Sequence, residues 1–164
     1  MTRMNKKQPK AVIKSKFQIS VEGTDEISTA YHKGIQAIKN CDRGKIIAEA
    51  LSDIDGSVDI DSAVKHIYPN DSRWDYAIGY KNKVCYIEVH PAYTGEVEKI
   101  AQKLLWLKGW LNDRAPLLSS LPKAKIPYVW LSTGGVHIIP QSKQYKRLST
   151  LGIKLTRMHK LSDV

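Results

Sequence analysis

Residues 73–90, Arg-Trp-Asp-Tyr-Ala-Ile-Gly-Tyr-Lys-Asn-Lys-Val-Cys-Tyr-Ile-Glu-Val-His, carry the pattern of a β-hairpin: two alternating, β-prone runs around a short polar turn. A tight turn at Lys81-Asn82 sets Tyr80 opposite Lys83, Gly79 opposite Val84, Ala77 opposite Tyr86, and Asp75 opposite Glu88. Side chains alternate along a strand, so Trp74, Tyr76, Ile78, Cys85, Ile87 and Val89 share one apolar face, which is expected to be core. The other face carries Asp75, Ala77, Gly79, Val84, Tyr86, Glu88 and His90. A loop of two or four residues keeps Asp75 opposite Glu88, whereas a three-residue loop with a one-residue slip puts them on opposite faces. Burial of the apolar set argues against the slip.

Directly opposed residues lie roughly 5 Å apart at Cβ. Two like charges at that distance repel by about 3 kcal/mol at an effective dielectric of 20. A divalent cation would offset that repulsion, and hard carboxylate oxygens suit magnesium, manganese or calcium better than zinc. The plainer alternative is a solvated outer face, with Asp75 paired to Arg73 or Lys83 and Glu88 to a nearby lysine.

A chain of 164 residues is expected to form one domain with its own core. No run reaches the roughly 20 apolar residues of a membrane span, and the N-terminus shows no signal-peptide core, so the expected compartment is the cytoplasm. Cys41 and Cys85 lack metal or disulfide spacing. The net charge of +10 favours a polyanionic partner. Arg3, Lys6, Lys7, Lys10, Lys14 and Lys16 all precede the first acid, Glu22. They read as a basic arm over 1–20 that lies along phosphates, or as a solubilising tail. The domain proper is expected over 21–158, with a polar tail at 159–164.

Residues 12–21 read as an edge strand. Thr24 or Asp25 caps an expected helix to about Lys39, and Lys45–Leu51 reads as a second helical segment. Arg43 and Lys45 flank its start, where a phosphate could bind. Asp53–Asp61 reads as a solvated acidic turn before a short helix over 62–67. Thr94 is expected to cap the clearest helix, whose apolar stripe is Val97, Ile100, Ala101, Leu104, Leu105 and Leu111. Another side of that helix carries Lys99, Gln102, Lys103, Trp106 and Trp110, a nucleic-acid contact or a core or homodimer surface. Ile126–Ser132 reads as a buried strand, Thr133-Gly-Gly135 as a turn into a strand over 136–139, Ser142 to Gly152 as a capped helix bearing Lys143, Lys146 and Arg147, and Ile153–Arg157 as a last strand.

The order helix, hairpin, Glu-x-His strand, long helix, buried strand resembles the PD-(D/E)XK phosphodiesterase superfamily over about residues 25–140. The resemblance implies an α/β fold with a restriction-endonuclease-like core, a mixed central sheet (αβββαβ) flanked by helices. It implies a nuclease hydrolysing phosphodiester bonds of nucleic acid, DNA more than RNA, with Mg2+ or Mn2+. Asp75 and Glu88 would be metal ligands, the Val89 carbonyl a third, and Glu49 or Glu26 a helical acid beside them. The family's lysine position is occupied by His90, which could act as base or charge donor; Lys103 or Lys99 could supply a relocated cation. Lys6, Lys7, Lys10, Arg43, Lys99, Lys143, Lys146 and Arg147 would contact nucleic acid. Two other readings stand beside this one: a catalytically silent nucleic-acid-binding module, and a dimeric assembly protein joined through Trp106 and Trp110.

Overall fold

The computed structural model describes residues 11–163. Its frame is a six-stranded mixed sheet in the order β1-β3-β4-β5-β6-β7. The strands are β1 Tyr31–His32, β3 Ile54–Asp59, β4 Tyr76–Tyr80, β5 Lys83–Tyr93, β6 Lys123–His137 and β7 Ile153–Thr156. Pairing is antiparallel from β1 to β5 and parallel from β5 to β7. Helices α1 Lys16–Glu22, α4 Val97–Asp113, α5 Pro116–Ser119 and α6 Lys143–Leu151 are joined by the short helices α2 Asn40–Arg43 and α3 Ile60–Val64. A separate parallel pair joins β2 Ile46–Ile47 to β8 His159–Lys160.

The hairpin forms in the expected register, from Tyr76 opposite Ile87 to Tyr80 opposite Lys83. Lys81 and Asn82 both have positive φ, 47° and 62°, the geometry of a two-residue turn whose twist matches the flanking strands. Both faces of the hairpin are core. Tyr76, Ile78, Cys85 and Ile87 pack with Ile38, Ile46, Val129 and Leu161, while Ala77, Val84 and Tyr86 pack with Phe17, Ile100, Leu104 and Trp130. Trp74 precedes β4 and joins the second of these clusters, not the first.

The small residues of the acidic face leave no open space, because α1 fills it. A Cβ on Gly79 would lie 2.5 Å from Phe17 Cγ. Gly79→Ala is therefore expected to cost about 2 kcal/mol through overpacking, and Phe17→Ala about 3 kcal/mol or more through a cavity. Their combination should cost less than the sum, since each relieves the other's defect; denaturant midpoints of the three variants check this.

Several expected elements differ. Residues 16–22 form α1, not an edge strand, because Ser15 accepts from Gln18 N–H and the Phe17, Val21 spacing buries one helical face. The helix expected over 25–39 is a 3-10 turn at Asp25–Ile27 followed by β1. There Gly34 turns the chain at φ 57°, and Tyr31 leaves helical spacing to lay its ring over Gly56 and donate to the Asp55 carbonyl at 2.9 Å. Within the segment 45–51 no α-helix forms: Ile46–Ile47 extend to pair with β8, because Ile46 buries against the far end of the chain. The acidic stretch 53–61 is not a solvated turn but β3: Ile54, Gly56, Ser57 and Val58 are buried, and its acids serve as acceptors at its ends. Asp55 receives Asn82 N–H and Asp59 caps α3.

Thr94 donates to the His137 carbonyl within a 3-10 turn, and α4 begins at Val97. The separate strand expected after Thr133 is the continuation of β6. Secondary structure also reaches past the expected domain limits of 21 and 158, since Phe17, His159 and Leu161 are all buried. The helix with Ser142 as N-cap and Gly152 as left-handed C-cap forms as expected.

Candidate active site

Where the β4–β5 ladder ends, the two acids prolong it with their side chains. Asp75 N–H donates to Glu88 Oε2 at 3.1 Å, and Val89 N–H donates to Asp75 Oδ2 at 3.0 Å. Each carboxylate thus holds the backbone of the opposite strand. Lys103, three residues after Ile100 and just before Leu104 on α4, points back over the pair. Its ammonium donates to Glu88 Oε1 and lies 3.9 Å from Asp75 Oδ1. Glu88 is 0% exposed and the Asp75 side chain 21%, so one acid is sealed and the other meets solvent.

Burial is the main force on all three groups. It pushes the Glu88 carboxyl up to about 8, helped by the Asp75 charge and opposed by Lys103. It raises Asp75 as well, against the pull of Lys103 and the Val89 N–H, with Asp61 and Asp59 adding to the rise. Burial alone would lower Lys103, but the charges of Glu88 and Asp75 outweigh it and raise the ammonium, which stays protonated at neutral pH.

The raised Glu88 carboxyl has a defined consequence for stability. The folded state holds this proton more tightly than the unfolded chain does, so the group's contribution is complete below an ordinary 4.5 and is lost as pH rises through about 8. Glu88→Gln, which does not titrate, is expected to gain on the wild type by up to about 1.4 kcal/mol per pH unit within that window. Denaturant midpoints at pH 5, 6, 7 and 8 measure the difference, and parallel curves would refute it.

Asp75 opens into a cleft of about 450 Å³ that also meets Lys39, Asp42, Lys45, Asp59, Asp61 and Thr133. Three of those acids already have partners. Asp42 pairs with Lys45 at 2.8 Å, Asp61 with Arg73 at 2.8 Å, and Asp59 caps Ser62 N–H at 2.9 Å. Asp59 and Asp61, which act on Asp75 through space, were hidden in the acid-rich stretch read as a turn.

The remaining expected residues disperse. His90 Nε2 bonds Glu96 Oε2 at 2.7 Å, and Lys99 reaches the same oxygen at 3.1 Å, so His90 serves the start of α4 rather than the acid pair. Hydrogen bonds from His90 and Lys99 hold Glu96 below the usual carboxylate range. Glu49 is exposed between β2 and the 3-10 turn Leu51–Asp53, with no hydrogen bond or ion pair to Asp75 or Glu88. Glu26 sits elsewhere, accepting from Tyr68 Oη and Trp110 Nε1, both at 2.8 Å. Arg43 donates to the carbonyls of Ile38 and Gln36, a structural clasp.

Lys143, Lys146 and Arg147 are exposed on α6, with Arg147 paired to Glu98. Lys6, Lys7 and Lys10 lie outside the described residues. Trp106 and Trp110 stack at 5.8 Å, and Trp110 is buried.

No family model, curated protein or solved structure matches this chain. The chemistry must come from the geometry. Among the described residues no group of three or more His, Cys, Asp or Glu side chains could hold a metal. Two carboxylates still fit magnesium or manganese, which commonly take one or two from the protein and keep several waters, whereas they fall short of a zinc or calcium cage. No helix of the described residues is long and apolar enough to cross a membrane.

Proposed function

We propose that this chain is a metal-dependent nuclease with a restriction-endonuclease-like core, acting on the phosphodiester bonds of nucleic acid through Asp75 and Glu88. The observation that carries the reading is the convergence of Asp75, Glu88 and Lys103 at one end of a helix, three-strand meander, helix, parallel strand succession: α1, β3–β4–β5, α4 and β6. Two acids and a lysine on that frame are the constellation expected for hydrolysis at phosphorus, with the lysine on α4 in place of the strand position held by His90.

Asp75 and Glu88 are the residues that would hold magnesium or manganese, a cation that lowers the pKa of a bound water and neutralises a phosphate oxygen. The chain's own part follows from the shifts above. Lys103 is protonated, so it is a charge donor toward a phosphate oxygen and not a base. Its ammonium also pairs with the Glu88 carboxyl and attracts the Asp75 charge, which offsets part of the cost of burying them. His90 bonds Glu96, whose carboxylate Lys99 also reaches, and so fixes the head of the helix that carries Lys103. Exposed Lys143 and Lys146, with the basic arm, add backbone affinity without sequence preference.

The test is cleavage of labelled single-stranded and duplex DNA and RNA with Mg2+ or Mn2+, comparing wild type with Asp75→Ala, Glu88→Ala and His90→Ala at equal folding. The reading requires metal-dependent cutting that vanishes in both acid variants. A second reading has its own support: Glu88 is sealed and already paired with a cation of the chain itself. A silent nucleic-acid-binding module on the same frame would show no cutting on any substrate, with salt-sensitive binding that survives loss of the acids.

A further inference from the structure

Next to the Asp75 cleft lies a second one, of about 370 Å³, walled by Lys45, Ser132, Thr133, Gly134, Arg157 and Met158. The two share Lys45 and Thr133. Their charges differ: the first holds Asp42, Asp59, Asp61 and Asp75 against Lys39 and Lys45, the second holds no acid, with Arg157 beside the same Lys45, whose ammonium pairs with Asp42. Arg157 is exposed and belongs to none of the ion pairs among the described residues.

The wall between the clefts is built by an irregularity in β6. His90 pairs with Ser132 and Ala92 with Val136, so four residue steps on β6 face two on β5. The surplus residues bulge outward, and Ser132 Oγ ties the bulge by donating to the carbonyls of Gly134 and Gly135 at 2.8 and 3.2 Å. Thr133 and Gly134 are exposed at its crest, and a Cβ on Gly134 would meet nothing within 4 Å. A thin ridge of this kind lets a chain of alternating phosphates and sugars cross from one cleft to the other. Each cleft is of the size that holds one small ligand, not a duplex.

We propose that the cleft at Lys45 and Arg157 seats the phosphate neighbouring the scissile one, so that a single strand of nucleic acid crosses the Thr133–Gly134 bulge to reach Asp75. This rests on the nuclease reading for the identity of the scissile phosphate, but its own content is the path of the strand. The bulge supplies no base-edge pattern, so the path recognises backbone and tolerates sequence. Lys39, exposed and also lining the Asp75 cleft but not the second one, is the cation that receives a further phosphate.

Fluorescence anisotropy of the full chain with a labelled single-stranded oligonucleotide and with its hairpin duplex, in EDTA and at several salt concentrations, tests the path without any cutting. Arg157→Gln is expected to weaken single-strand binding about tenfold and to lower the slope of log affinity against log salt by about 0.7. Thr133→Lys, adding a cation on the exposed crest, is expected to tighten binding severalfold. Lys83→Gln, at the opposite end of the hairpin, should change neither. Wild-type affinity in Arg157→Gln together with loss in Lys146→Gln would move the path to α6 and overturn the proposal. Duplex binding as tight as single-strand binding, and equally weakened by Arg157→Gln, would overturn the single-strand assignment. Cleavage that depends on Asp75 while Arg157→Gln and Thr133→Lys bind as wild type would overturn the path and leave the nuclease standing; wild-type protein that binds no nucleic acid would overturn both.

Discussion

Asp75→Asn is expected to slow metal-dependent cleavage by about a thousandfold or more while leaving the folded protein at least as stable as the wild type. The loss follows from what the site would lack: one of two carboxylate ligands, and with it most of the several kcal/mol of charge stabilisation that a bound cation lends to hydrolysis at phosphorus, where each 1.36 kcal/mol is about tenfold in rate. The stability follows from geometry. The Asn amide oxygen can still accept the Val89 N–H that Asp75 Oδ2 accepts at 3.0 Å. Burial holds the Asp75 proton more tightly in the folded state, so this group's contribution is present at acid pH and lost as pH rises, and at pH 7 the charge works against folding. Removing it also removes a repulsion on Glu88. Initial rates with Mg2+ beside urea midpoints at pH 7 measure both; a rate loss matched by a falling midpoint would mean a damaged fold rather than a lost ligand.

The hairpin was legible because its information is local. A period-two alternation fixes which residues share a face, and a two-residue turn fixes the register, so opposing Asp75 and Glu88 required only Lys81 and Asn82 to accept positive φ. The helix bearing Lys103 was legible for the same reason, since its apolar spacing repeats over many turns and a helix following β5 must lie back on the sheet. Leu105, assigned to its core stripe, is however exposed, and Leu107 and Trp110 are buried there instead. The caps of α6 are residues whose chemistry is read one at a time.

What stayed hidden is pairing between distant segments. Ile46 could not announce that it would extend beside His159, nor Tyr31 that its ring would lie on Gly56. The acids of β3 look like solvated turn residues until Asn82 N–H and Ser62 N–H arrive to use them. For the same reason the sequence named His90 as the third partner of the acids, one face-step from Glu88, when the side chain turns instead to Glu96. The bulge at Thr133–Gly134 was visible as two glycines but read as a turn, since only the pairing with β5 shows that the strand continues past it.

Lys103→Met is expected to lower stability by about 3 kcal/mol near pH 8 and to lose nothing, or even gain, near pH 4. At the higher pH the substitution leaves Asp75 and Glu88 facing each other under α4 with no cation. Glu88, pushed up to about 8 even with Lys103 beside it, must then hold its proton against solution or bear an unpaired buried charge, and breaking a buried pair from one side costs about 3–5 kcal/mol. At the lower pH Glu88 is protonated, and burial shifts Asp75 toward its neutral form. The ammonium then has little to neutralise and still carries the cost of its own burial, with 17% of the side chain exposed, while Met keeps the apolar stem. The sign of the difference therefore depends on the carboxylates and not on packing. Adding Glu88→Gln to Lys103→Met should restore a large part of the loss at pH 8, because it removes the sealed charge and its repulsion on Asp75, whose own carboxylate still meets solvent. Thermal or urea unfolding of the two single variants and the double at pH 4, 6 and 8 measures this. A loss at Lys103→Met that is the same at every pH, and unrelieved by Glu88→Gln, would show that Lys103 supports the fold through its aliphatic stem alone and would remove it from the electrostatics of the site.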